Sequence, residues 1–495
     1  MRRTLLTLLI LIFGTTICRG QNLPTYHNVN VETSIEYAEG NSFQKDLLLY
    51  VDMLKTTHPY YSDAKRQAQF DKRTKKMYKE CGKITSDTDF KVYIAKIAAQ
   101  LNDGHTAVPY WTTFEKIYPV KFKINGDAPV IVEISPEDKG ELLGKEVKSV
   151  NGKPFEEILK LARPLVSADN RANYENSIKE YLMFAQFWEL LGMSSEVMHI
   201  TFADGSSAAI EPVDKANLKI AQLQKKSDNR VTAQRGVLFD YTMFEEESIC
   251  YLQFNQFADR LIYPQYPQLA RFDEFVGEMM AEMKRKEINT LVVDLQYNGG
   301  GNSQLGDVLL SWLYPHREMR RYDVDVRISE LLFTFYPYYR QFTVNGEPVE
   351  MGKLYGYMGF DHSKNYAVDY TAPQDPKNHI FNFDDAQIYD GNVVFIQSRN
   401  SFSSSTLLLT LARDNGIGTI VGEPSGGKPS HYGDVLCCTL PNTATMVTVS
   451  HKHFVRPDKA IDEESLAPDV WVELNDPEKD MVWEWILEKY GKMVE

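Results

Sequence analysis

The stretch Leu291-Val292-Val293-Asp294-Leu295 constrains this chain more than any other, because a near-continuous apolar run of that length fits a strand buried on both faces. Further strand-like runs, Ile249 to Phe254, Asn392 to Gln397 and Gly418 to Gly422, alternate with helical patterns such as Phe272 to Lys286 and Ser404 to Asp414. That alternation argues for an α/β core.

Asn298-Gly299-Gly300-Gly301 leaves the buried run, and a helix is expected to start near Ser303. Three adjacent glycines let backbone approach a ligand closely and turn its N–H groups inward. The spacing does not give GxGxxG, and no GxxxxGK is followed by Ser or Thr, so an oxyanion pocket fits better than a nucleotide loop. A tight turn that needs positive φ is the structural alternative.

Val393 to Gln397 reads as a strand, Ser398 to Phe402 as a turn, and the segment from Ser404 as a helix closed by Asn415-Gly416. Ser403 therefore sits at the mouth of a helix N-terminus. There the turn exposes a hydroxyl, and the next N–H points where the oxygen of a tetrahedral intermediate would lie. Ordinary N-capping is the alternative, and with Ser401, Ser403, Ser404 and Ser405 all present it accounts for one or two of them.

At the other end of the chain, Arg2 and Arg3 precede a largely apolar run from Leu5 to Ile17 and a Cys-Arg-Gly stretch. This is the pattern of a secretory signal peptide over residues 1–20, and it predicts an exported protein, periplasmic or extracellular. The run is too short for a membrane span. Cys18 as the acylated cysteine of a lipoprotein is the lesser alternative. Cys81, Cys250, Cys437 and Cys438 are too few for a disulfide-stapled scaffold in a chain of 495 residues with 43% hydrophobic content. A net charge of −14 argues against nucleic acid or an anionic membrane surface as the main partner.

Apolar residues at three- and four-residue steps, among them Leu47, Leu48, Val51 and Leu54, predict a small helical domain over 21–110. It ends in Asn102-Asp103-Gly104, a turn signal, with His105 next. Taken alone, His105 reads as a loop histidine bonded to backbone. Between 111 and 213 short β-like runs and the turns Asn151-Gly152 and Asp204-Gly205 take over. The segment GKEVKSVNGKPFEEILKLA resembles the carboxylate-binding half of a PDZ domain, which implies capture of an extended peptide by strand addition; a structural spacer is the alternative. A polar linker over 214–235 leads to the α/β region, 236–495.

Combined, LNDGHT at 101–106, LVVDLQYNGGG at 291–301, the serine-rich turn at 400–406 and VGEPSGGK at 421–428 resemble the S41 family of serine peptidases, the carboxyl-terminal processing (tail-specific) and tricorn-like proteases. The closing LPNTATMVTVS, FVRPD and LAPDVWVEL segments resemble the end of the same catalytic domain. The resemblance implies an α/β multidomain protein: a helical N-terminal domain, a PDZ-like β-rich module and a ClpP/crotonase-like α/β catalytic core. It implies a secreted serine endopeptidase acting on peptides or proteins, with no cofactor and no catalytic metal. The oligomeric state stays open. Ser403 takes the nucleophile's place, and Gly299, Gly300 and Ser404 supply the oxyanion hole. Thr406 stands where the family has Glu.

Two residues match the family's two kinds of base. Lys428 stands at the lysine of the processing proteases, and would have to be neutral to act. His105 stands at the histidine of the tricorn-like branch and is the preferred base, with Lys428 then a cation on the oxyanion or substrate side. Gly104 replaces the serine that precedes that histidine, so any relay there would be rebuilt from Thr106. The distal carboxylate falls among Asp462, Glu463 and Glu464, with Glu463 assigned. A noncatalytic peptide- or lipid-binding protein of the same fold is the rival reading. His451 and His453, two apart on one strand face, begin a metal site only if further ligands exist. The aromatic stretch Phe333 to Phe342 suits either a cleft wall or core packing.

Overall fold

The computed structural model describes residues 23–124, 128–135, 140–217, 224–225, 237–313, 319–361, 389–474 and 479–492. The signal-peptide segment 1–20 and most of the linker lie outside these residues. Among the described residues no helix is long and apolar enough to cross a membrane. The chain forms two compact units: Met1–Lys226 with Val324–Asp361 and Tyr432–Phe454, and Ser227–Asp323 with His362–His431 and Val455–Glu495.

The second unit is built on a six-stranded sheet whose strands lie in chain order. They are β1 (Phe239–Phe244), β2 (Ile249–Phe254), β3 (Thr290–Asp294), β4 (Asn392–Gln397), β5 (Thr419–Gly422) and β6 (Val470–Trp471). β1 is antiparallel to β2, and every later pairing is parallel, with Leu291 opposite Cys250 on one side and Val393 on the other. Alternation sorts the apolar side chains. Leu291, Val293 and Phe395 pack with helices α1 (Phe272–Arg285), α2 (Gln304–Leu313) and α3 (Ser404–Asn415); Val292, Val394 and Ile396 pack with α4 (Met481–Tyr490). A strand covered on both faces has no solvated side, which is why Leu291 to Leu295 reads as a continuous apolar run.

The first unit carries the helices Ser42–Thr57, Ala64–Cys81 and Asp87–Ala98, the first opened by a reciprocal Asn41–Gln44 capping box. Its β-rich middle region holds a four-stranded sheet ordered Lys153–Pro154, Val147–Val150, Met198–Phe202, Ser207–Ile210, and a three-stranded sheet of Val120–Lys123, Val130–Ile134 and Gln224–Lys225. Another four-stranded sheet is ordered Leu354–Gly356, Asp323–Arg327, Met446–Val455, His431–Thr439.

This last sheet bears on the expected ClpP/crotonase-like core, which is a correction. Two excursions from the α/β region, 324–361 and 432–454, belong to the unit that also contains the N-terminal helices. Their long strands, His431–Thr439 and Met446–Val455, pair with each other and with Asp323–Arg327 in a sheet separate from the doubly covered one.

Candidate active site

Ser403 follows β4 and a five-residue turn that is stitched onto the turn after β3. Ser401 Oγ donates to Leu295 O (2.9 Å), Ser398 Oγ to Gln296 O (2.6 Å), and Phe402 N–H to Asn298 O (3.1 Å). Both turns therefore leave the carboxyl ends of adjacent parallel strands, the usual place for a site in such a sheet.

Held this way, Ser403 adopts φ 54°, ψ −125°, and its side chain makes no cap hydrogen bond. A non-glycine residue in that region carries strain of about 1–3 kcal/mol, which persists only where the surroundings enforce it. The hydroxyls of Ser404 and Thr406 have structural roles. Ser404 Oγ donates to Gly301 O (2.6 Å) and Thr406 Oγ1 to Ser401 O (3.1 Å). The N-capping explanation of the serine run thus fails at Ser403.

The glycines are where backbone must come close. A Cβ on Gly300, at φ 103°, would stand 2.7 Å from Ser403 Cβ and 3.0 Å from Ser404 N. One on Gly301, at φ 135°, would collide with the Phe257 carbonyl. The Gly300 N–H itself donates to Asn298 Oδ1 (2.8 Å), and Asn298 Nδ2 donates to Phe254 O (2.7 Å). Asn298, fully buried, is thus the brace of the glycine turn, a role its place in the motif did not reveal.

Lys428 lies in the same unit as Ser403. Gly427 N–H donates to Ser401 O (3.1 Å), and a Cβ on Gly427 would collide with Thr406 Oγ1, so the residue before Lys428 is pinned to the serine turn. Lys428 Nζ donates to Glu464 Oε1 (2.9 Å) and is 3.9 Å from Asp462 Oδ1. Glu463 turns to Arg456, 2.6 Å away, whose guanidinium also grips Asp414 at 2.5 and 3.2 Å. Burial opposes the charge on Arg456, but these two carboxylates outweigh it and hold its pKa above the usual arginine value.

His105 belongs to the first unit and is buried. Asp103 Oδ1 accepts the His105 backbone N–H (2.9 Å) and lies 3.5 Å from its Nδ1. Burial disfavours the imidazolium, but Asp103, Asp169 and Asp434 together raise the His105 pKa. Asp103 Oδ2 accepts from His58 Nε2 (3.1 Å), Thr106 Oγ1 (2.6 Å) and Ser450 Oγ (2.6 Å), and Asp169 Oδ1 accepts the Gly104 N–H (2.6 Å). Although burial favours the neutral acid, the two histidines beside Asp103 hold its pKa well below the carboxylate range.

Asp103, His105 and Asp169 have ligand atoms within 4.8 Å of one another, a spacing that fits a cation. The donors already bound to Asp103 take up its lone pairs, which favours a hydrogen-bonded Asp–His set over a metal centre. His451, raised above as a metal ligand, donates from Nδ1 to Asp434 O (2.6 Å) and is pushed down to about 4 by burial. His453 lies 3.9 Å from Asp325.

A strained serine backed by glycine backbone at a strand-to-helix turn is the arrangement of a serine-type hydrolase. Residues 248–472, a little under half of the chain, match the model of Peptidase family S41, the serine-peptidase family that the motifs resemble. Curated protein sequences give no match. Among solved structures, mature CPAF complexed with lactacystin is 15% identical with a TM-score of 0.59, covering 92% of this chain and 98% of that one. A CPAF mutant is 13% identical with a TM-score of 0.61, covering 93% and 100%. The photosystem II D1 C-terminal processing protease is 14% identical with a TM-score of 0.41, covering 88% and 94%. The likeness to CPAF is one of fold, with its N-terminal helical and β-rich middle regions, and it replaces the ClpP/crotonase-like core expected from the sequence.

Proposed function

We propose that the protein is an exported serine endopeptidase that cleaves peptide bonds through an acyl-enzyme on Ser403. The observation that carries this reading is the left-handed backbone of Ser403 against Gly300. Ser403 Oγ attacks the peptide carbonyl carbon, and its proton passes to the base. The amides of Ser404 and Gly299 stabilise the oxyanion, while Gly300 contributes the clearance that only a glycine allows. Collapse of the tetrahedral intermediate expels the amine with the base's proton, and water then releases the acyl group. His105 is the assigned base, because a buried imidazole beside a carboxylate accepts a proton near neutral pH. Lys428 remains a cation, paired with Glu464, on the substrate side; Glu463 secures Arg456. Export rests on the Arg2-Arg3 and Leu5 to Ile17 pattern.

Incubation of the mature chain with a diverse peptide mixture, read by mass spectrometry beside Ser403→Ala, tests the reading. New termini from the wild type alone support it. Identical silent spectra from two folded proteins would leave the noncatalytic binding protein as the better account.

A further inference from the structure

Asp103 Oδ1 lies 3.5 Å from His105 Nδ1, and Asp103 is itself held by hydrogen bonds from His58, Thr106 and Ser450. We infer that Asp103 is the carboxylate that positions His105, and that His58 is a further positioning residue holding Asp103 from behind. The inference rests on the reading of His105 as the base.

His58 is fully buried. Its Nδ1 accepts the Tyr60 N–H (3.0 Å), which fixes the tautomer and leaves Nε2–H to donate to Asp103 Oδ2 (3.1 Å). Thr106 and Ser450 hydroxyls, each 2.6 Å away, crowd the same oxygen, so Oδ1 is the one that faces His105. With Nδ1 turned to Asp103, Nε2 is the nitrogen that would exchange the serine's proton. Asp169 also accepts the Gly104 N–H, and Asp434 pairs with Lys452 at 2.6 Å. His58 is itself clamped. Arg327 Nη2 approaches Tyr61 O (3.3 Å) and Lys55 O (3.5 Å) on either side of it, and the Tyr432 ring lies 4.6 Å from its own. The His58 and Ser450 bonds reach Asp103 from 45 and 347 residues away.

The charged groups facing His105 are Asp103, Asp169 and Asp434, with Lys452 and the neutral His451 behind Asp434. Removing the Asp103 charge leaves fewer anions to favour the imidazolium. The base is then deprotonated at lower pH, while its orientation is lost.

The test is the rate at which a fluorophosphonate labels Ser403 in the full chain, followed against pH. Asp103→Asn is expected to slow labelling by about two to four powers of ten and to move the acid limb to lower pH. His58→Leu is expected to slow it by roughly a hundred-fold, and His58→Gln, which keeps an N–H donor, to recover most of the rate. Should Asp103→Asn fail to fold, the His58 pair decides. Near-wild-type labelling and an unmoved acid limb in folded Asp103→Asn, or equal rates in His58→Leu and His58→Gln, would overturn the inference. Failure of the wild type to label, or of His105→Ala to slow labelling, would instead defeat the catalytic reading on which it rests.

Discussion

Gly300 and Ser403 are fitted to each other: a single methyl on the glycine would lie 2.7 Å from the serine's Cβ, and both residues have positive φ. The strain at the serine and the empty space at the glycine are one feature, since the turn that forces Ser403 outward brings its Cβ onto the glycine backbone. Gly300→Ala is therefore expected to destabilise the protein by about 2–4 kcal/mol, combining a forbidden φ with overpacking, and to abolish fluorophosphonate labelling. Denaturant unfolding together with labelling checks it; a labelled, wild-type-stable variant would show that the close approach has no consequence.

At Ser403 the same strain predicts opposite changes in stability and activity. Ser403→Gly removes the Cβ that makes φ 54° unfavourable, and is expected to raise unfolding free energy by roughly 1 kcal/mol over Ser403→Ala while both variants lose all labelling. Comparing the two inactive variants isolates backbone strain from loss of the hydroxyl. Equal stabilities would mean that the turn does not store it.

Lys428 offers a sharp alternative. Under the proposed assignment of His105 as base, Lys428, bonded to Glu464, is not the proton acceptor, so Lys428→Met is expected to lower the labelling rate by no more than about tenfold, with the acid limb unchanged. A base's removal would cost at least two to four powers of ten. A loss of that size in Lys428→Met, with His105→Ala little affected, would transfer the role to the lysine. Glu464→Gln breaks a largely exposed pair and is expected to change stability by less than about 1 kcal/mol.

What was legible in the sequence was local. The Leu291 run, the helix starting at Ser404 and its stop at Gly416, φ 70°, follow from burial period and cap chemistry, and the structure has them within a residue or two of the expected places. The glycine turn and the serine turn were also visible, because each is a short motif with its own backbone requirement. Asn298 as the brace of that turn was not, since its bond to Phe254 O spans 44 residues. The surroundings of His105 were hidden for the same reason: Ser450 comes to Asp103 from 347 residues away and Asp169 to Gly104 from 65. Nor did any pattern mark 324–361 and 432–454 as members of the other unit, because nothing local to their strands specifies which sheet they join.

Arg456 is the buried charge whose removal should matter most for folding. Its guanidinium is 1% exposed and satisfies Asp414, equally buried, as well as Glu463. Arg456→Met leaves Asp414 without its cation and is expected to cost about 3–5 kcal/mol, whereas Glu463→Gln, at a more exposed end of the network, should cost markedly less. Chemical denaturation ranks the two, and a Glu463→Gln effect as large as that of Arg456→Met would contradict this division.

His451 sets the acid stability of its sheet. Burial pushes its pKa down to about 4 from an ordinary 6.5, with the Asp434 carboxylate opposing and the Lys452 ammonium adding to the shift, so the folded protein keeps the ring neutral where the unfolded chain would protonate it. The unfolded state thus binds more protons between those values. Stability from His451 is fully present above about pH 6.5 and is lost as pH falls toward 4, a contribution of about 3 kcal/mol at most. His105 has the opposite sign, because its raised pKa contributes stability below 6.5 that disappears as pH rises through the folded value. The two act in adjoining windows, His451 between about pH 4 and 6.5 and His105 above 6.5. His451→Gln should therefore flatten the fall in unfolding free energy between pH 6.5 and 4, whereas His105→Gln should leave that slope unchanged and remove the gain in stability as pH falls toward 6.5 from above. Urea unfolding of the wild type and both variants on both sides of pH 6.5 tests the pair of windows, and parallel curves for all three would show that neither ring is linked to folding.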